Sequence, residues 1–127
     1  MAKIANNLYN NSEASKYMRD NVNDVKEYIL LNYKSFLSLS EIANKFYINP
    51  QYLSYIFKKV EGIRLFEYIN KIRIEKSKIL LVKTELKIFE ISDKVGFSTY
   101  GNFSKMFKHF TGISPQKYRK QTKNNTI

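Results

Sequence analysis

The feature that most constrains this chain is a pattern that occurs twice. Ile42-Ala43 and Lys45-Phe46 recur as Ile91-Ser92 and Lys94-Val95, an offset of 49 residues. Past the following turn the offset becomes 50. Leu53-Ser54 then falls on Phe103-Ser104, Phe57-Lys58 on Phe107-Lys108, Gly62-Ile63 on Gly112-Ile113, and Tyr68 on Tyr118. Two copies are too few to stack as a solenoid. They predict two similar lobes with the intervening stretch joining them.

Each copy reads as a short helix, a tight turn, a second helix and a glycine stop. That is the outline of a helix-turn-helix, whose second helix can enter a DNA major groove. Ser38 and Glu41 stand at the spacing of a capping box. Asn49-Pro50 places an N-cap before a proline at the first helical position. Gly62 and Gly112 suit the left-handed residue that ends a helix. Ala43 and Ser92 are small, which lets the two helices of each copy cross closely. Gly96 suits a positive φ in the second turn, whereas Tyr47 holds the corresponding place in the first.

Read in order, residues 1–20 have no clear periodicity and are taken as a tail, linker remnant or weak helix. Val22, Val25, Ile29 and Tyr33 then recur at spacings of three and four, predicting an amphipathic helix from about Asn21 to Lys34. A short helix with Ile42, Ala43 and Phe46 inward follows. After a turn at Tyr47-Ile48 comes one with Leu53, Ile56, Phe57 and Val60 inward. A longer helix covers about Leu65–Val82, with Leu65, Ile69, Ile72, Ile79 and Leu80 at helical spacing. Ile88, Ile91 and Val95 mark the next short helix. Gly96-Phe97-Ser98 makes the second turn, and Thr99 to Phe110 carries Phe103, Met106, Phe107 and Phe110. Ser114-Pro115 starts a last helix through Tyr118 and Arg119. The fold class is therefore all-α, about seven helices: a tail (1–20), a first helix-turn-helix subdomain (21–63), a linker helix (64–83), a second subdomain (84–121) and a frayed end (122–127).

Charge narrows the function classes. Lys and Arg number 22 against 11 acidic residues, a net charge of +11. That excess favours a polyanionic partner. The chain has no cysteine, which removes disulfides and thiolate chemistry. No apolar run approaches the length of a membrane span, and no secretory signal precedes the first helix, so the cytoplasm is the default. No metal cluster, nucleophile–base pair or phosphate-cradling glycine loop stands out. Neither enzyme activity nor a cofactor or metal is expected. The single histidine, His109, is read as a surface residue.

Helical phase also selects the residues that would touch a partner. With Leu53, Ile56 and Phe57 inward, Gln51, Ser54, Tyr55 and Lys58 face out. With Phe103, Met106 and Phe107 inward, Tyr100, Gly101, Asn102, Lys105 and Lys108 face out. Gln and Asn can read adenine by paired hydrogen bonds, and Lys can reach guanine acceptors. Lys58, Lys59 and Lys108 suit phosphate contacts. The competing reading is a basic helical module that binds an acidic protein or anionic surface without reading sequence. Such a module needs one continuous basic face, whereas these lysines sit on several short helices.

The strings GFSTYGNFSKMFKHFTGISPQKYR and SLSEIANKFYINPQYLSYIFKKVEG, the latter followed by EYINKIRIEKSKILL, resemble the AraC/XylS family of transcriptional regulators. The resemblance covers about Val22 to Arg119. It implies a bipartite DNA-binding domain whose two units face successive major grooves of double-stranded DNA, over a site of about two helical turns. It implies Gln51, Ser54, Tyr55, Asn102 and Lys105 as base readers. It also implies RNA polymerase as a partner, and a sensor or receiver domain upstream in a longer protein. Two positions depart from the family pattern. Lys87 stands where a small N-cap residue is usual, and Gly101 lies inside the second recognition helix, at a cost of about 1 kcal/mol against alanine.

Overall fold

The computed structural model describes the backbone of residues 2–125 and the side chains of residues 14–124. All seven elements are helices: α1 (Ala2–Asn32), α2 (Leu39–Lys45), α3 (Pro50–Glu61), α4 (Leu65–Lys83), α5 (Ile88–Lys94), α6 (Tyr100–Thr111) and α7 (Pro115–Asn125). Among the described residues none is long and apolar enough to cross a membrane. The chain divides into two compact units. One comprises the chain up to Leu31 with Leu37–Leu65; the other comprises Asn32–Phe36 with Phe66 onward.

In the first unit Val22, Val25 and Ile29 of α1 are fully buried, as are Ile42, Ala43, Leu53, Ile56 and Phe57 of α2 and α3. Tyr28 meets Phe46 edge-on, with ring centroids 5.8 Å apart. Lys26 pairs with Glu61 at 2.9 Å, tying α1 to the end of α3. Ser38 Oγ accepts from Glu41 N–H at 3.1 Å and so starts α2. Asn49 Oδ1 accepts from the N–H groups of Gln51 (2.9 Å) and Tyr52 (3.1 Å), so two of the orphan donors of α3 are satisfied by one side chain.

The second unit repeats this construction. Its core joins Ile74, Leu81, Ile91, Val95, Phe97, Phe103 and Phe107, with Tyr33, Leu80, Met106, Phe110 and Tyr118 packed against it. Phe107 meets Phe103 and Tyr118 at centroid distances of 5.8 and 5.4 Å. Two arginines clamp this unit from outside the core. Arg73 Nε donates to Tyr33 O at 2.8 Å and its Nη2 to Ser35 O at 3.0 Å. Partial burial pulls its pKa down from the ordinary guanidinium value. Arg119 donates to the carbonyls of Leu81 (3.0 Å), Leu86 (2.7 Å) and Thr84 (3.3 Å), holding the α4–α5 connection against α7.

The repeat survives in backbone detail. Helices α2 and α5 have 7 residues each, and α3 and α6 have 12 each. Gly62 (φ 83°, ψ −9°) and Gly112 (φ 85°, ψ −9°) close α3 and α6, and each N–H bonds a lysine carbonyl four residues back at 2.8 Å. Both inner turns are Schellman motifs. Tyr47 N–H bonds Asn44 O and Ile48 N–H bonds Ala43 O; Gly96 N–H bonds Asp93 O and Phe97 N–H bonds Ser92 O. Ala43 and Ser92 are both buried, in keeping with close helix crossings.

Several sequence-based expectations need correction. Helix α1 begins at Ala2, not near Asn21. No proline or glycine interrupts the chain before Pro50, so nothing stops the helix from extending through the Asn- and Ser-rich stretch. The side chains of residues 1–13 lie outside the described residues. In α4 the buried positions are Leu65, Ile69, Ile74, Ser77 and Leu81, whereas Ile79 is half exposed and Ile72 and Leu80 are partly buried. Apolar residues surround this helix, so spacing alone cannot fix its phase. Ile48 and Phe97, assigned to turns, are core residues. They are the residues after the left-handed positions, where a Schellman motif directs an apolar side chain back onto its helix. Val60, Phe46, Met106 and Phe110 are only partly buried. Helix α7 runs to Asn125, three residues past Thr122, where the sequence suggests a frayed end. Thr122 Oγ1 bonds Tyr118 O at 2.9 Å. The remainder of the expected frayed end, residues 126 and 127, lies outside the described residues.

Candidate nucleic-acid interface

The exposed faces of α3 and α6 follow from the buried ones. In α3 the fully buried Leu53, Ile56 and Phe57 fix the phase, and Gln51, Ser54, Tyr55, Lys58 and Lys59 are left exposed. In α6 the fully buried Phe103 and Phe107 leave Tyr100, Gly101, Asn102, Lys105 and Lys108 exposed. The first turn of neither helix contains an acidic residue, while the last turn holds Lys58 and Lys59 in α3 and Lys108 and His109 in α6. Neither helix therefore carries a carboxylate of its own at the positive end of its dipole, although Glu90 and Asp93 line the depression at the start of α6, and the basic residues suit the negative C-terminal ends. Both features favour an approaching polyanion.

The structure groups some of these residues and separates others. Ser54, Tyr55, Lys58 and Lys59 line one open groove in the first unit, of about 430 Å³, together with Arg64. Tyr55 is 54% exposed, and its hydroxyl accepts from Lys59 Nζ at 3.2 Å. That bond leaves the hydroxyl proton available for a base edge or a phosphate. Gln51 lies on the same helix, one turn nearer the N-terminus, and is not part of the groove lining. In the second unit Tyr100 lines a different depression, formed with Ser98, Thr99, Phe97 and the Phe89–Lys94 segment. Its hydroxyl accepts from Gln116 Nε2 at 2.8 Å, which links the start of α6 to α7. Asn102, Lys105 and Lys108 project from α6 without lining that depression.

Helix α6 starts one residue later than the sequence suggests. Thr99 is its N-cap, with Oγ1 accepting from Asn102 N–H at 3.1 Å. Gly101 therefore occupies the second helical position, where its N–H has no intrahelical partner to lose. A Cβ added there meets nothing within 4 Å. Lys87 has no acceptor with which to cap α5, and the chain uses the other half of a capping box: Glu90 Oε1 accepts from Lys87 N–H at 3.1 Å. His109 is 3.9 Å from Glu67 and edge-on to Phe110, with both members of the pair exposed. Among the described residues no group of His, Cys, Asp and Glu is arranged to hold a metal ion.

Two contributors escaped the sequence reading. Arg64 lies beyond the end of α3, outside the helical phase that selects the exposed residues, and only the groove brings it beside Ser54, Tyr55, Lys58 and Lys59; its one sequence signal is the mismatch with Ser114 in the repeat. Gln116 carried no signal, since its role depends on the fold bringing α7 to Tyr100.

Two short helices crossing at a Schellman turn, the second of them capped, exposed and basic, define a helix-turn-helix protein. The model for the helix-turn-helix domain matches residues 42–121. The chain belongs to the AraC/XylS family of DNA-binding transcriptional regulators. It is 41% identical over 113 residues to the Msm operon regulatory protein of Streptococcus mutans, covering 89% of this chain and 41% of that one. It is 34% identical over 111 residues to the HTH-type transcriptional regulator YtdP of Bacillus subtilis, covering 87% of this chain and 14% of that one. The chain thus spans less than half the length of either relative. Among solved structures it resembles the C-terminal domain of AraT, a response regulator from Geobacillus stearothermophilus, with a TM-score of 0.76, 37% identity and coverage of 80% of this chain and 84% of that one. The DNA-binding domain of AdpA, solved in complex with a target DNA, shares the fold at a TM-score of 0.78 and 17% identity, over 82% of this chain and 94% of that one.

Proposed function

We propose that this chain binds double-stranded DNA sequence-specifically through α3 and α6, one in each of two successive major grooves, and thereby regulates transcription. The observation that carries this reading is the duplication of a capped second helix with one exposed face. Each unit offers a capped second helix of the same length, with an amide-bearing side chain at or near its start and lysines at its end. Gln51, Ser54 and Tyr55 read bases from α3, and Asn102 and Lys105 from α6. Lys58, Lys59 and Lys108 contact phosphate, and Tyr100, held by Gln116, positions the start of α6 on the backbone. The AdpA domain was solved on its target DNA, which supports the same use of the fold here. Attachment to a receiver or sensor domain fits the AraT likeness, and contact with RNA polymerase fits a regulator of this class.

A selection from random duplexes tests this reading. The expected product is a two-part motif whose halves lie about one helical turn apart. Gln51→Ala and Asn102→Ala should each relax one position, in different halves, at about 1–3 kcal/mol of discrimination. Lys58→Ala should weaken all sequences alike. Failure to enrich any motif would refute sequence-specific binding, and loss of both halves on mutating one helix would refute independent reading.

A further inference from the structure

We propose that Arg64 is a phosphate-contacting residue peculiar to the first unit, so that the two units grip the DNA backbone unequally. The inference rests on the DNA-binding reading above. Its starting point is a helix-start position at which the two copies differ in chemistry. The 50-residue offset that pairs Gly62 with Gly112 pairs Arg64 with Ser114. Ser114 does the ordinary work of that position: its Oγ accepts from Lys117 N–H at 3.2 Å and caps α7, with Pro115 next in the chain.

Arg64 cannot do this. Helix α4 begins at Leu65, immediately after it. A guanidinium has five donors and no acceptor, so it cannot satisfy the free amides of the first turn. Its positive charge also sits at the positive end of the α4 dipole. For α4 alone, arginine is a poor residue here.

What it gains lies in the groove. Arg64 is exposed and lines the same depression as Ser54, Tyr55, Lys58 and Lys59. Three of those five side chains are cations, two carry hydroxyls and none is a carboxylate. The guanidinium presents a planar fork that matches phosphate oxygens, whereas the lysines act as point charges. With Lys58 and Lys59 at the end of α3 and Arg64 just beyond it, the groove suits a phosphodiester passing the recognition helix. The second unit keeps the cap and has no cation at the matching position.

The test compares the 127-residue chain with Arg64→Gln, Arg64→Lys and Arg64→Ser, titrated against a labelled random-sequence duplex of about 30 base pairs over a range of salt concentrations. Loss of one phosphate contact lowers the slope of log K against log salt by about 0.9. R64Q and R64S should both show that reduction, with binding roughly threefold to tenfold weaker at moderate salt, and R64K should keep most of the slope. R64S should also melt at a higher temperature than R64Q, because serine restores the cap; circular dichroism checks that each variant folds. Slopes for R64Q and R64S equal to the parent would overturn the proposal, as would an R64K slope as low as that of R64Q. A parent chain that binds no duplex would instead overturn the DNA-binding reading itself.

Discussion

The two inner turns have the same hydrogen bonds and opposite tolerances. In the first, the left-handed residue is Tyr47, with φ 56°, and it is 98% exposed. In the second it is Gly96, with φ 101°. A Cβ on Gly96 would lie 2.5 Å from Tyr33 O and 3.0 Å from Arg73 Nε. The first turn pays a local conformational cost for a non-glycine residue and meets no obstacle in solvent. The second turn is pressed against the Tyr33–Lys34 backbone that follows α1, where Arg73 already holds the Tyr33 carbonyl. An identical backbone motif can thus need glycine for packing in one copy and dispense with it in the other.

The sharpest way to break this comparison is Gly96→Ala. Strain at φ 101° adds to a backbone clash that no rotamer relieves, so the second unit should lose about 3 kcal/mol or more. Denaturant unfolding measures the loss, and amide exchange should place it in α5 and α6. A loss below about 1 kcal/mol would mean that the turn can move away from Tyr33.

Arg73→Met keeps the aliphatic packing and removes two bonds from a charged donor. It should cost about 2 kcal/mol by the same denaturant measurement. A negligible change would show that Tyr33 O and Ser35 O are satisfied by water, and that the crowding at Gly96 owes nothing to the arginine.

The caps provide a finer contrast. Asn49→Ala and Thr99→Ala should each lower stability by about 1 kcal/mol, with Asn49 the more costly because it accepts two amides and Thr99 one. Thermal melts of the two single variants rank them directly. Tyr47→Gly should have the smallest effect, a gain of about 0.5 kcal/mol: relief of left-handed strain slightly outweighs the added freedom of the unfolded chain. A marked loss of melting temperature would show that the exposed ring contributes a contact that the geometry does not suggest.

The legible parts of this fold were those written in local chemistry. Asn49-Pro50, Ser38 and the glycines at 62 and 112 mark helix ends by their own side chains or lack of them. Leu53, Ile56 and Phe57, like Phe103 and Phe107, fix a helical phase within a single turn. From those phases the exposed Gln51, Ser54, Tyr55, Asn102 and Lys105 follow without further information. What stayed hidden depends on distant partners. The phase of α4 was ambiguous because apolar residues surround it, and only its neighbours decide that Ile74 is buried and Ile79 exposed. The clamps made by Arg73 and Arg119 reach 33 to 40 residues along the chain. The contribution of Gln116 likewise depends on a helix packed beside Tyr100. The extent of α1 escaped for a different reason: its weakly patterned first half has no stop signal, and the absence of a stop is a faint mark.

Arg119 has a consequence for how the molecule comes into being. Its three bonds fasten the α4–α5 connection, and Tyr118 beside it completes the ring cluster around Phe107. On a ribosome the α1–α3 unit is fully synthesised once Leu65 has emerged, whereas the other unit must wait for α7. The two halves, so alike in outline, are therefore born in sequence, and a nascent chain halted before Arg119 would hold every residue of the first unit and an incomplete second.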